Sequence, residues 1–256
     1  MIPALLPLDP FLTGDYAAHR DSFAVAGVGE AGAGEAGVPL ADPAAVGAAL
    51  TAFTAPLGPA RRVAAVSQWT KSYFAVLTVP SVAATLLLDC DLPLSPEGGI
   101  TMLLGENGRP AGFHLPGDAR PLGPDRLGTA CGFTRFSGLI DDHLAAIIPV
   151  FATAGGVPQR MIWSNAADYL DRAARMLVPL ASAWPGREAA AAGLQALLAT
   201  PDRPDGSPNL LHEPVRLMNG LRTRKVCCLR YAMPGEDFCG SCPKRRRAEA
   251  ARAARG

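Results

Sequence analysis

The sequence predicts an α+β protein, with a predominantly helical body, a small β-hairpin or sheet and a short cysteine-bearing segment at the C-terminal end. Three observations carry this. Apolar residues recur at spacings of three and four through most of the chain, one stretch over residues 98–115 breaks that rhythm with turn residues, and four of the six cysteines fall within residues 227–242. With 256 residues, 49% hydrophobic and 18% charged, the chain can bury a sizeable core and is not disordered. Its Gly 27 and Pro 24 imply many turns and interrupted helices.

Residues 1–60 read as an N-terminal segment in which Leu5, Leu6, Phe11 and Leu12 can dock on the body. Within it, the Gly/Ala-rich run 24–38 has no large apolar side chain except valine and reads as a mobile loop. Residues 43–53 place Val46, Leu50 and Phe53 at helical spacing. In the next segment Val66, Trp69, Tyr73, Val76 and Leu77 share one face, and Pro80 demands a kink or break, so two packed helices are expected. The run ITMLL, the turn residues Gly105, Asn107, Gly108 and Pro110, and a second short run predict a β-hairpin over 98–115.

From Leu139 the pattern is helical again and is closed by Gly155, Gly156 and Pro158. Ile162, Ala166, Tyr169, Leu170, Ala173 and Leu177 then mark the core face of an amphipathic helix, with Asp168 and Asp171 opposite. A further helix over 189–198 precedes a linker rich in Pro, Asp, Gly and Ser at 201–208. The expected division is therefore a helical body at 61–208, a cysteine segment at 209–244 and a basic tail at 245–256. The tail has no large apolar residue and reads as a frayed helix or disordered end.

The net charge of +1 gives no whole-protein reason to expect a nucleic-acid partner, but the ends differ in sign. Asp9, Asp15, Asp21, Glu30, Glu35 and Asp42 face only Arg20 in the first sixty residues, whereas ten Lys or Arg face three acids from Arg222 onward. The N-terminus lacks the basic region and cleavage site of a secretory signal. The longest apolar run, 74–88, is interrupted by Pro80, Ser81 and two threonines and falls short of the roughly 20 residues a span needs. A cytoplasmic protein is expected, with no membrane span and at most peripheral membrane association. In that reducing compartment clustered cysteines imply metal binding or redox work rather than disulfides.

Cys227 and Cys228 are adjacent, ten residues intervene, and Cys239 and Cys242 follow in C-x2-C spacing. Four soft thiolates can enclose a tetrahedral metal or supply every ligand of a small cluster. Zinc sites normally separate paired ligands by two to four residues, and neighbouring side chains reach one ion only through a strained turn. Two irons a few ångströms apart relax that demand, so a 2Fe-2S cluster is the expected cofactor. Cys239 and Cys242 would grip one iron and Cys227 and Cys228 the other. Pro234 and Gly235 form a turn pair able to bring the two cysteine pairs together. Gly240 and the bases Arg222, Arg224, Lys225 and Arg230 would raise the reduction potential.

The run R-x-x-C-C-L-R-Y-x-x-P-G-x-x-F-C-G-x-C-P, from Arg224 to Pro243, resembles the C-terminal signature of the FhuF-type ferric siderophore reductases. The phrases V-S-Q-W-T-K-S-Y at 66–73 and W-S-N-A-A-D-Y-L at 163–170 resemble the family's body more loosely. The resemblance implies a cytoplasmic 2Fe-2S protein, with a C-terminal iron-sulfur segment held by Cys227, Cys228, Cys239 and Cys242. It would pass one electron to Fe(III) in a hydroxamate-type siderophore and release Fe(II), which oxygen donors hold far less well. No G-x-G-x-x-G or P-loop appears, so an external electron donor, a ferredoxin or a flavoprotein, is expected. The competing reading is a zinc-stapled binding module without redox activity.

Other residues have plainer readings. Cys90 and Cys131 read as buried small hydrophobes, and Trp69 and Trp163 as core. His114 and His143 read as hydrogen-bonded or exposed, and His212 is unneeded beside four cysteines. Asn165, amid apolar neighbours, is expected to hydrogen-bond across the domain. Arg222, Arg224, Lys225 and Arg230 read as solvated surface charge, with steering of donor or substrate as the alternative.

Overall fold

The structure is a computed structural model that describes residues 3–11, 17, 19–25 and 37–253. Leu12, the side chain of Phe11 and most of the Gly/Ala-rich run lie outside the described residues. A 3-10 run, Pro3–Phe11, does dock on the body: Leu5 and Leu8 are buried, whereas Leu6 faces solvent. Strands β1 (Phe23–Val25) and β2 (Val38–Pro39) lead to helix α1 (Pro43–Thr54). Asp42 Oδ1 caps α1 by accepting from the N–H groups of Ala44 and Ala45, and Pro43 occupies the first turn where no donor is needed.

The core is built around α2 (Arg62–Leu87), 26 residues of which twenty are buried. Here the expectation of two helices is corrected, since Pro80 sits inside one continuous helix. An interior proline costs about 3 kcal/mol. Burying each large apolar side chain returns roughly 1.5–3 kcal/mol, and Trp69, Tyr73, Phe74, Leu77, Leu86 and Leu87 are all fully enclosed, so packing outweighs the lost bond several times over. The continuous helix also changes the length argument. Segments 59–87 and 138–155 are long and apolar enough to cross a membrane, although 78% and 56% of their apolar windows are buried inside the protein.

Beyond β3 (Cys90–Asp91), the hairpin of β4 (Thr101–Leu104) and β5 (Pro110–Leu115) forms where the turn residues placed it. The sheet order is β1-β5-β4-β2, with β1 parallel to β5 and the other pairs antiparallel. Phe113 of β5 aligns with Phe23 and Met102 and meets the Tyr73 ring edge-on at 5.1 Å, which fastens the sheet to α2. The Trp69 indole N–H donates to the Gly108 carbonyl at 3.1 Å and pins the hairpin turn to the same helix.

A short strand β6 (Arg120–Pro121) pairs with β3 and is followed by α3 (Pro124–Leu127) and α4 (Gly132–Arg135). A π-helical stretch, Gly138–Leu144, then runs into α5 (Ala145–Gly155), which ends on left-handed Gly156. Cys90 and Cys131 are half-buried rather than buried, because β3 and the start of α4 lie at the rim of the core.

His143 is fully buried on this stretch. Its Nδ1 donates to the Leu94 carbonyl at 2.5 Å and its Nε2 accepts from the Tyr73 hydroxyl at 2.6 Å. Burial lowers its pKa from 6.5 to about 4, so the native state holds it neutral while the unfolded chain binds a proton below 6.5. Stability is therefore expected to fall as pH drops from about 6.5 toward 4, by roughly 3 kcal/mol over the window. In urea melts across that range, His143→Gln should flatten the slope. An unchanged slope would remove His143 as its source.

Helix α6 (Gln159–Leu180) packs along α2 with Ile162, Ala166, Leu170, Ala173 and Leu177 inward, as the periodicity requires. Asp171 faces outward, but Asp168 does not: it is 2% exposed. Helix α7 (Glu188–Ala199) leads to the linker at 201–208, which is tied down rather than loose. Asn209 Nδ2 donates to the carbonyls of Leu197 and Thr200, and Arg203 pairs with Asp141 at 2.7 Å.

The sequence reading placed no strands in the next segment, yet β7 (Val215–Met218) and β8 (Leu221–Arg224) form a hairpin. Its turn residues Asn219 and Gly220 have φ of 52 and 74, the two positive values that a two-residue turn with right-handed strand twist requires. Helix α8 (Pro243–Ala253) takes in the described part of the basic tail, in line with the helical one of its two readings. Its start is held by the guanidinium groups of Arg245 and Arg246, which donate to the Gly240 carbonyl.

Candidate metal centre

The four cysteines of residues 227–242 converge. Cys228, Cys239 and Cys242 are buried against one another, apart from the apolar core, and the half-buried Cys227 packs on the group. The adjacent pair is accommodated by strain at the following residue. Leu229 adopts a left-handed φ of 57, a conformation that costs an L residue about 1–2 kcal/mol. It turns the chain sharply after Cys228 and aims the Leu229 N–H at Cys227 Sγ, 3.5 Å away. The Pro234–Gly235 turn forms as expected, with Gly235 at φ 71 and the Glu236 N–H bonded to the Met233 carbonyl. The C-G-S-C turn is closed by the Cys242 N–H donating to the Cys239 carbonyl at 3.1 Å. Cys242 then opens α8, its carbonyl accepting from the Arg246 N–H.

This segment rests on α2 and α6, and the polar residues of those helices hold it. Ala64, Gln68 and Lys71 follow helical spacing under it. Ala64 and Ala65 pack against Met233 of the cysteine spacer. Gln68 Nε2 donates to the Cys228 carbonyl at 2.5 Å, and Lys71 Nζ points at Cys228 Sγ from 3.9 Å. On α6, Asn165 bridges the two helices as expected, its Nδ2 donating to the Ser67 carbonyl and to the hydroxyls of Ser67 and Thr70.

Arg224 corrects the sequence reading most. It is not solvated surface charge; it is 1% exposed and enters the helix pair from the end of β8. One of its amino groups donates to Asn165 Oδ1 at 2.6 Å and to the Ser164 carbonyl at 3.1 Å, and the other lies 3.6 Å from Asp168 Oδ2. Its backbone N–H bonds the Ser241 carbonyl inside C-G-S-C. One residue thus fastens the cysteine turn to α6, and its charge explains why Asp168 faces inward. The other three bases stay at the surface: Arg222 with Asp171, Lys225 with Glu213 and Arg230 with Glu236.

The electrostatics favour thiolate at Cys228. The Cys228 and Cys239 sulfurs are 3.5 Å apart. Their shared hydrogen bond, then the charges of Lys71 and Arg224, bring the Cys228 thiol from 9.0 down to about 5 against the cost of burial. The same hydrogen bond, with burial, holds Cys239 protonated. Burial also raises Cys227.

These residues fit a two-iron cluster. The donors are soft, and the charges of Lys71 and buried Arg224 act on Cys228, a positive setting for an anionic group; Nε of Arg224 has no hydrogen-bond partner. As they stand, no three His, Cys, Asp or Glu side chains among the described residues are arranged around one ion, and a 2Fe-2S group asks for only two thiolates per iron. His114 and His212 lie outside the sulfur group; His212 sits 3.8 Å from Glu213. Sequence reasoning missed the roles of Gln68, Lys71, Ser164 and Asp168. The available signal was the cluster of polar residues Ser67, Gln68 and Thr70, all of which α2 buries.

Comparison with known proteins agrees with this geometry. Residues 67–224 match the family described as "Ferric iron reductase FhuF-like transporter". Residues 224–244 match the "FhuF 2Fe-2S C-terminal domain". A relative from Escherichia coli (strain K12), named "Ferric siderophore reductase", is 27% identical over 185 residues. The match covers 69% of this chain and 64% of that relative, so the chain spans less than two thirds of the relative's length.

Proposed function

The chain belongs to the FhuF-like ferric iron reductase family and carries its 2Fe-2S domain, and from that premise we propose that it is a cytoplasmic ferric siderophore reductase. In this reading Cys227, Cys228, Cys239 and Cys242 are the cluster ligands, and the substrate is Fe(III) in a hydroxamate-type siderophore. An external ferredoxin or flavoprotein supplies the electrons, and membrane contact is peripheral at most. The observation that carries the reading is the convergence of four thiols on a platform built from α2 and α6, with Lys71 and Arg224 beside them.

When bound, the cluster supplies a one-electron carrier; Fe(III) in the siderophore gains that electron and becomes Fe(II), which the hydroxamate oxygens release. The chain's own residues prepare this. Lys71 and Arg224 set positive charge beside Cys228 and favour its thiolate. Gln68 and Arg224 fix the backbone on either side of the thiols, so little reorganisation accompanies a change of charge. Cys227, the half-buried thiol, lies nearest to solvent and is the natural point of electron entry or exit.

Lys71 should set the reduction potential, because its ammonium stabilises added negative charge near Cys228. Lys71→Met is expected to lower the potential by about 60 mV, a tenfold change in the one-electron equilibrium. Redox titration of the visible bands reads this directly, and an unchanged potential would place the Lys71 charge outside the electron-transfer site. The assignment itself is tested by metal analysis. The anaerobically purified protein should contain two irons and two labile sulfides per chain and show visible bands that bleach with dithionite. A colourless protein with one zinc and no sulfide would instead be the stapled binding module.

A further inference from the structure

We propose that the cavity between the β4–β5 turn, the C-terminal end of α1 and the spacer joining the two cysteine pairs is the seat of the ferric siderophore. This rests on the reductase reading above and assigns the site where its substrate binds.

The first argument is position. The cavity holds about 600 Å³, within the range of small-molecule sites. Met233, Pro234 and Glu236, three residues of the spacer between Cys228 and Cys239, form one wall. Met233 packs on Ala64 and Ala65, one helical turn before the Gln68 that bonds the Cys228 carbonyl. Glu236 of that wall pairs with Arg230, whose backbone N–H bonds the Cys228 thiol. A second cavity of about 550 Å³ lies on the far side of the hairpin turn and touches no residue of the cysteine segment.

The second argument is chemistry. Phe53, Pro56 and Leu57 give an apolar floor suited to the alkyl arms of a chelator. Arg109 offers donors to its oxygens. Its guanidinium stacks 5.1 Å from the Phe53 ring and spends one N–H on Ser72 Oγ at 3.4 Å, out of five available. The turn that carries Arg109 is held by the Trp69 indole through the Gly108 carbonyl, so the donors are fixed before a ligand arrives.

The third argument is charge. Against Arg109 the lining sets Glu106 and Glu236, and Glu236 is neutralised by Arg230 at 2.5 Å. The lining is close to neutral. Three hydroxamates cancel the charge of Fe(III) and leave an uncharged coordination core, which matches; three catecholates leave a trianion, which does not.

The experiment uses the cluster-loaded protein and the gallium(III) complex of desferriferrichrome, a redox-inert and uncharged trihydroxamate, with binding followed by calorimetry. Ala52 is an exposed residue of α1 on the cavity rim, so Ala52→Trp fills the cavity without disturbing the core. It should weaken binding by about tenfold or more and raise KM for the ferric form by the same factor, while the visible spectrum and reduction potential stay as in the wild type. Arg109→Met should weaken binding several-fold, and a gallium(III) tris-catecholate should bind the wild type at least about tenfold more weakly than the hydroxamate. If Ala52→Trp keeps its spectrum and binds and reduces as the wild type does, the cavity is not the site, although the reductase reading stands. Equal binding of the tris-catecholate would contradict the charge match that argues for this cavity. If the wild type neither binds the gallium complex nor reduces any ferric siderophore, the reductase reading itself fails.

Discussion

Replacing Arg224 by methionine should release the cysteine segment from the helical body and lower stability by about 3–5 kcal/mol, the usual cost of stranding one partner of a buried ion pair. The substitution keeps much of the side-chain volume and removes only charge and donors. Asp168 would remain 2% exposed, with Arg172 as its remaining cation at 3.2 Å. Arg172 lies partly in solvent, and its contact moderates the loss toward the lower end of that range. Asn165 Oδ1 and the Ser164 carbonyl would lose their donor, and the bridge to Ser67 and Thr70 would lose its anchor. Urea melts and iron content measured together test this. The double variant Arg224→Met with Asp168→Leu should recover part of the stability, because both charges are then gone, but not the iron content. A single variant with the wild-type midpoint and full iron would mean that Arg224 is a passenger.

Replacing Cys239 by serine should have the second large effect, on the cofactor rather than the fold. Serine replaces one soft sulfur donor with a hard hydroxyl, which an iron-sulfide cluster holds far less well. Iron and labile sulfide should fall to background and siderophore reduction should cease. The body should stay folded, because Gln68, Met233 and Arg224 still dock the segment without using Cys239. The linker at 201–208 is not the reason, since Asn209 and Arg203 bind it to the body. Retained colour and full turnover in Cys239→Ser would overturn the assignment of this thiol.

Where side-chain periodicity was the only force at work, the sequence was enough. Helices α1 and α6 follow from Val46 and Leu50, and from Ile162, Leu170 and Leu177, and the β4–β5 hairpin follows from its Gly and Asn turn. Pro80 misled because propensity is local, whereas α2 is enclosed on nearly all sides and packing decides its course. The β7–β8 hairpin was legible in its Asn219–Gly220 turn, the commonest short hairpin signal.

The site divides in the same way. Spacing alone grouped Cys227, Cys228, Cys239 and Cys242, and their side chains do meet. Asp168 and Arg224 could not be read correctly one at a time. On an amphipathic helix a carboxylate is expected outside, and an arginine in a basic segment is expected in solvent; both are buried because each is the other's partner, and that pairing exists only in three dimensions. The same holds for Gln68 and Lys71: the polar cluster at 67–70 marks this stretch of α2, but only the folded chain shows that a thiol lies in front of it.

The most direct test mixes the protein, reduced anaerobically by one electron, with one equivalent of ferric desferrioxamine in the presence of an Fe(II) chelator. The expected result is return of the oxidised visible bands with capture of one Fe(II) per chain, at matching rates. Bands that stay bleached with no Fe(II) captured, or a protein with no such bands because its four thiols hold zinc, would contradict the account.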